Sequence, residues 1–303
     1  MADIGMGTVH VDQALTNYSV GYKFDGFITD QVLPTVRVTS ESGIFYSDDY
    51  TELNPDDTGE RAAGAGVNEI RFGLSTSSYL CHEYEKAYLL PNRIRNQADS
   101  TSGVVMNAVR KPQRNLMMLQ ERRTAALAAA TSNVTTPTTN WDQSDATIEV
   151  DVDIAKKAIH DAVGVEPNVL ICDINVARNV VRQADIREIL KYTGQNLLKS
   201  EVISIVQGLF DLRWAVSGAY YNSVNQGQTA SLSPVWGTAV YLAYVDPSAG
   251  LLDPTWAKLF ASQDYVVKRW TENGRNGEWF EVSHVVDERE CLAAAIYKLD
   301  AVL

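Results

Sequence analysis

Apolar residues in this chain recur in three rhythms. Over 99–131 they follow the helical repeat of about 3.6 residues. Val105, Val109, Leu116, Leu119, Leu127 and Ala130 fall on one face, and Arg110 and Arg114 lie opposite. Asp99 or Ser100 supplies the cap. Arg123 falls inside the apolar stripe, and Pro112, which has no N–H, is expected to kink the helix. The spacing predicts a spine of about 45 Å if continuous. A second, shorter amphipathic helix is predicted over 151–164, with Ile154, Ala158, Ile159 and Ala162 inward and Gly164 as its stop.

The second rhythm is alternation. YVVKRWTENGRNGEWFEVSHVV (265–286) places two Asn-Gly steps between alternating runs, the pattern of a long hairpin. The third is the short continuous apolar run. NVLICD (168–173), LRWAVSGAYY (212–221) and TAVYLAYV (238–245) read as buried strands, with CLAAAIYKLDAVL (291–303) as a closing strand. NVARNVVRQADIREILKY and EVISIVQGLF read as helices between them. Alternation of strand and helix predicts a compact α/β module within a chain of α+β class. Residues 1–40, ending in FITDQVLPTVRV, suit an extended arm entering a strand. Residues 79–98 read as a connection, and 132–147 as a polar loop.

Composition sharpens this picture. The 303 residues are 45% hydrophobic and 21% charged, which fits a chain with a real core. Net charge is −12, which disfavours a dedicated nucleic-acid binder. No apolar run is long enough to span a membrane, and MADIGMGTVHVDQ lacks the basic and apolar regions of a secretory signal. Cys81, Cys172 and Cys291 are odd in number and far apart, so they are expected as small buried hydrophobes rather than a disulfide framework.

Charge is also unevenly spread. Residues 41–60 carry seven acids (Glu41, Asp48, Asp49, Glu52, Asp56, Asp57, Glu60) and no Lys or Arg. Short β-type runs flank this stretch, with Val67, Ile70, Phe72 and Leu74 alternating on the far side, and NPDDTG (54–59) has turn chemistry. Residues 41–78 therefore read as a long acidic two-stranded flap. An isolated ribbon is marginal in water and needs a surface to lie on. The spine helix reverses the sign: Arg110, Lys111, Arg114, Arg122 and Arg123 accompany a single acid, Glu121. A bland reading leaves both charge runs simply solvated. The sharper one rests the flap of one copy on the helix of another.

Chemistry is scarce. Gly59, Gly64 and Gly66 lack the Lys-Ser/Thr pair of a phosphate loop, and no glycine cluster completes a dinucleotide fingerprint. His82-Glu83-Tyr84-Glu85-Lys86 has Lys where a zinc-protease helix needs its second His. Asp48–Asp49 and Asp56–Asp57 do not follow calcium-loop spacing. His10, His82, His160 and His284 sit in different segments. No catalytic, cofactor or metal site is expected. An unrecognised hydrolase would need these groups gathered from separate segments.

The order of arm, acidic flap, kinked spine, α/β module and returning hairpin resembles the major capsid proteins of tailed bacteriophages, with the Hong Kong 97-like fold. The segments that carry the resemblance are VDQALTNYSVGYKFDGFITDQVLPTV, PNVLICDINVARNVVRQADIREILKY, WAVSGAYYNSVNQGQ, VWGTAVYLAYV, PTWAKLF and VVKRWTENGRNGEWFEVSHVVDERECLAAAIYKLDAV. It implies an N-terminal arm (1–40), an extended loop (41–78), a peripheral domain (79–165 with the 264–290 hairpin), and an axial domain (166–263 with the strand 291–303). It further implies pentamers and hexamers tiling an icosahedral shell around double-stranded DNA. Implied partners are further copies of the chain, a portal and a decoration protein; the arm starts almost at Met1, which resembles members that use a separate scaffolding protein or a mature-length chain. An encapsulin-like cellular shell shares the same expectations.

Overall fold

The long hairpin sets the layout of the molecule. A computed structural model describes residues 9–48, 60, 63–64, 74–98, 100–184, 186–188, 206–224, 228–229 and 231–303. In chain order the first elements are β1 (His10–Val11), α1 (Gln13–Gly21), α2 (Thr29–Val32), β2 (Thr35–Arg37), β3 (Ser42–Asp48) and β4 (Leu74–Leu80). Next come β5 (His82–Pro91), α3 (Asn92–Gln97), α4 (Thr101–Ala129), β6 (Val134–Thr135), α5 (Ile148–Val163), β7 (Val169–Asp173) and α6 (Ile174–Val180). The chain then runs through β8 (Arg213–Ser217), β9 (Tyr220–Asn222), β10 (Leu232–Pro234), β11 (Val240–Ala243), β12 (Ala257–Glu272), β13 (Gly277–Glu290) and β14 (Ile296–Leu299).

Two main sheets result. The first has the order β1-β12-β13-β5, with β2 also on β12. The second has the order β6-β14-β11-β7-β8. Smaller ribbons pair β3 with β4 and β9 with β10. The hairpin turns through Asn273–Asn276, and Asn276 takes φ 46°, a left-handed conformation that Asn tolerates. It begins at Ala257, earlier than alternation alone suggested. Register shifts at Ala261/Gln263 and Gln263/Val266 break the two-residue period there.

The spine helix runs unbroken in its secondary structure through Pro112, and Ser100 caps it, its Oγ accepting from Gly103 N at 3.3 Å. Its buried positions (Ala108, Val109, Pro112, Gln113, Leu116, Gln120, Glu121, Thr124, Ala125, Ala128) keep one phase on both sides of the proline. Val109 and Leu116 pack on Val267, Phe280 and Val282 of the first sheet. Further along, Ala125 and Ala128 join a cluster shared by both sheets, with Val169, Ile171, Ala243, Leu259 and Val286. Leu119 and Ala130 are exposed rather than inward. In α5 the buried side is Val152, Ala155, Ile159 and Val163. Ile154 and Ala162 face out, one turn-step from the expected phase. Gly164 ends α5 at φ 75° as expected.

Three expectations are corrected. Residues 12–33 are not an extended arm. Asp12 caps α1 by accepting from Leu15 N at 3.1 Å, and Ile28, Val32 and Leu33 are buried in the shared cluster. Residues 82–91 are a ten-residue strand, β5, paired along β13. Tyr84, Tyr88 and Leu90 supply its inward positions, which the intervening charges disguised. The helix after β7 is interrupted at Val180, where Arg182 N and Gln183 N turn back to Asn179 and Val180 carbonyls, and helical backbone resumes at 184 and 186–188; the rest of the expected span lies outside the described residues.

Candidate assembly surface

The cations of α4 do not stand bare. Arg110 lies 5.4 Å from the Tyr18 ring centre and 5.1 Å from that of Tyr22, and its Nε–H donates to the Tyr18 hydroxyl. Lys111 sits 4.5 Å over Tyr88, Arg114 4.3 Å over Phe24, and Arg122 4.4 Å over Tyr221. Rings attract a cation through their negative faces, by about 0.5–1 kcal/mol at exposed sites. They also hold a guanidinium in one plane and leave its outer N–H edge open. Among the described residues, no carboxylate lies within 4.0 Å of these four cations. They form an ordered, exposed basic stripe whose aromatic supports come from α1, the loop after it, β5 and β9.

Arg123 is different. It lies half-buried 3.8 Å over Tyr84 and forms a bidentate pair with Glu288, Nε to Oε2 at 2.9 Å and Nη2 to Oε1 at 2.8 Å. Its place inside the apolar stripe is thus explained by a partner on β13. Its charge is already met within the chain, which sets it apart from the other four candidates.

On the acidic side, Asp48 closes β3 and Glu60 is exposed. Asp49, Glu52, Asp56 and Asp57 lie outside the described residues, so no contact between them and the stripe is on view. The base of the ribbon is held firmly. Tyr79 stacks on Phe260 at 4.6 Å and Phe45 lies 5.1 Å from the same ring. Gly43 makes room for this: a Cβ there would meet the Tyr79 hydroxyl at 2.5 Å. Leu80 N donates to Asp287 Oδ2 at 2.8 Å, and Cys81 N to Glu41 O at 2.7 Å. The other face of the ribbon is open, with Ile44 65% and Leu80 48% exposed.

Glu121, the lone acid of the helix, is fully buried. Its Oε2 accepts from Ile28 N (3.1 Å), Thr29 N (3.0 Å) and Thr29 Oγ1 (2.6 Å). Its Oε1 accepts from Ser217 Oγ (3.2 Å) and Trp236 Nε1 (2.6 Å). Sequence reading counted it only as a minority charge. The usable signal was its phase, one turn before Ala125 and three residues before Thr124 on the buried stripe.

The histidines are not brought together. His160 Nδ1 lies 3.4 Å from Glu166 on the outside of α5. His284 is buried, stacked on Tyr265 at 4.7 Å and edge-on to Tyr84 at 5.9 Å. Burial, and then the Arg123 charge, lowers its pKa to about 4. It lines a cleft of about 670 Å³ whose rim carries the ion pairs Lys23–Asp30 and Arg37–Asp264. Among the described residues no group of three or more His, Cys, Asp or Glu is placed to hold a metal ion. No helix among them is long and apolar enough to cross a membrane.

No family model and no curated protein matches the chain. Solved structures do. A phage-related protein from Bordetella bronchiseptica RB50 is 21% identical, with a TM-score of 0.76 over 96% of this chain and 97% of that one. A virus-like particle from Pyrococcus furiosus is 13% identical, with a TM-score of 0.59 over 95% and 96%. The capsid of cyanophage P-SCSP1u is 12% identical, with a TM-score of 0.57 over 92% and 90%. The fold is therefore the one found in phage capsids, the Hong Kong 97-like fold. At these identities the likeness establishes architecture, end to end along the chain.

Proposed function

We propose that the chain is a major capsid protein of a tailed phage. It is a structural subunit without turnover that builds a closed icosahedral shell of pentamers and hexamers around double-stranded DNA. The observation that carries this reading is full-length likeness to capsid and particle structures, over at least nine-tenths of both chains. In the layout this implies, the acidic ribbon reaches over a neighbouring copy. The first sheet with α4 forms the peripheral unit, and the second sheet forms the axial unit near the five- and sixfold axes. We assign α5 to the axial unit rather than to the peripheral domain expected over 79–165, because its buried side packs with Leu170, Cys172 and Leu242.

The inter-subunit contact sets Asp48, Asp49, Glu52, Asp56, Asp57 and Glu60 of one copy against Arg110, Lys111, Arg114 and Arg122 of the next. Exposed pairs are worth about 0–1 kcal/mol each. They orient neighbours, while apolar burial supplies most of the affinity. A net charge of −12 keeps the wall from gripping packaged DNA tightly. The shell would assemble in the host cytoplasm with scaffold, portal and decoration partners and become part of the virion. A second reading, an encapsulin-like cellular shell, is compatible with the same fold-level likeness to phage capsids and a virus-like particle but is not favoured over the first.

Sedimentation velocity tests the contact. The wild-type chain runs as particles far above the 33.4 kDa subunit. The triple variant Arg110→Glu, Lys111→Glu, Arg114→Glu stays folded by circular dichroism yet sediments as small species. Wild-type-sized particles from that variant remove the ribbon-on-helix contact. Nuclease-protected DNA within wild-type particles separates the phage shell from the cellular one.

A further inference from the structure

The geometry points to Glu121 as the pin that fixes the angle between the two sheets, and through that angle the curvature of the shell; this rests on the shell reading above. Three bodies meet at its carboxylate. α4 carries it at the point where the helix leaves the first sheet's cluster and enters the shared one. Ser217 ends β8 at the edge of the second sheet, and Trp236 lies on the approach to β11. Ile28 and Thr29 open α2, in the segment that wedges Ile28, Val32 and Leu33 between the sheets.

Where the chain passes from β11 to β12, Trp256 N donates to Tyr244 O at 3.1 Å, which ties the sheets at that end; away from it the contact between them is mainly apolar. Ala257, Leu259, Ala261 and Val286 of the hairpin meet Val169, Ile171, Ala215 and Ala243. Several of these are alanines, with short side chains that interdigitate little. Apolar burial is non-directional, so such a surface tolerates a small slide or rotation. Five hydrogen bonds aimed at two oxygens do not, because they weaken steeply once bent. Gly218 N to Gly26 O (3.1 Å) and Arg213 Nη2 to Gln31 O (2.6 Å) tie the same segment to β8. Neither of them reaches α4. The carboxylate therefore couples the helix, the entering segment and the second sheet as one rigid joint. In a shell, a few degrees at that joint repeat in every copy and change the radius at which the lattice closes.

Glu121→Gln tests this with little change in volume. Its amide nitrogen is a donor and must face at least one of the donors that Glu121 accepts, so part of the network breaks. Val109→Ala, which thins the packing of α4 on the first sheet alone, is the control. Both variants should fold and unfold at lower temperature than wild type. Electron microscopy of assembled particles should then show mixed diameters or open sheets for Glu121→Gln, and a single wild-type diameter for Val109→Ala. Uniform wild-type shells from Glu121→Gln overturn the proposal, and so does equal polymorphism from Val109→Ala. Hydrogen exchange on isolated subunits keeps the test independent of assembly. Glu121→Gln should speed exchange of the Ile28 and Thr29 amides about tenfold, as loss of charge-assisted bonds predicts, with β11 and β13 unchanged. Unaltered exchange at Ile28 and Thr29 overturns the pin even if wild-type shells form. Absence of wild-type shells would instead sink the shell reading.

Discussion

The two sheets share one chain but solve different problems. In the second, every residue of β7 and β11 is buried, and α5 with α6 covers one side. In the first, half of the β5 residues are exposed, and β12 is continuously buried only over its first five residues. One sheet is a closed body whose strands read as unbroken apolar runs. The other is half-covered, with α4 on one face and its remaining surface carrying charge and aromatic rings. The lesson is a division of labour. Burial is most complete in the second sheet, while the exposed cations, rings and open apolar ribbon face lie on the first sheet, its helix and its ribbon.

The largest way to break this comparison is a matched pair of truncations. Leu242→Ala in β11 should cost about 2–5 kcal/mol, the range for a fully buried leucine. Leu89→Ala in β5, where the side chain is half-buried, should cost about 1 kcal/mol. Urea unfolding of both decides it, and equal losses would end the distinction.

A smaller effect sharpens the comparison from within the first sheet. The His284 ring is buried beside Tyr84, Tyr265 and Arg123, and its pKa falls from 6.5 to about 4. The folded chain therefore stays neutral there while the unfolded chain takes a proton. This contribution to stability is complete above pH 6.5 and is lost as pH drops toward 4, by about 3 kcal/mol in all. Asp151 and Asp173, raised by burial on the second sheet's side, act with the opposite sign, since protonation relieves their cost. His284→Phe keeps a stacked ring and removes the proton. The difference between variant and wild-type unfolding free energies should open between pH 6.5 and 4. A constant difference across that window would show that the imidazole does not titrate as described.

Legibility in the sequence followed how local the signal was. The hairpin announced itself through Asn273 to Gly277, because turn chemistry and alternation are both contained in a short stretch. β7 was plain, since a strand buried on both faces is apolar throughout. The spine helix was plain because its period survives Pro112. What stayed hidden was set by partners far away in sequence. β5 hid behind Glu83, Glu85 and Lys86, and its strand character comes from pairing with β13, about two hundred positions on. α2 depends on Glu121, more than ninety positions away, whereas α1 did carry a local signal, the cap Asp12 three residues before Leu15, that the expectation of an extended arm passed over. Of the candidate surface, the basic stripe was legible as charge. Its aromatic supports, and the separate fate of Arg123, were not.

Cryo-electron microscopy of the purified wild-type chain addresses the central claim most directly. Closed particles should appear, with residues 49–60 of each subunit resting against Arg110, Arg114 and Arg122 of an adjacent one. A small discrete oligomer, or an acidic ribbon lying on its own α4, would contradict it.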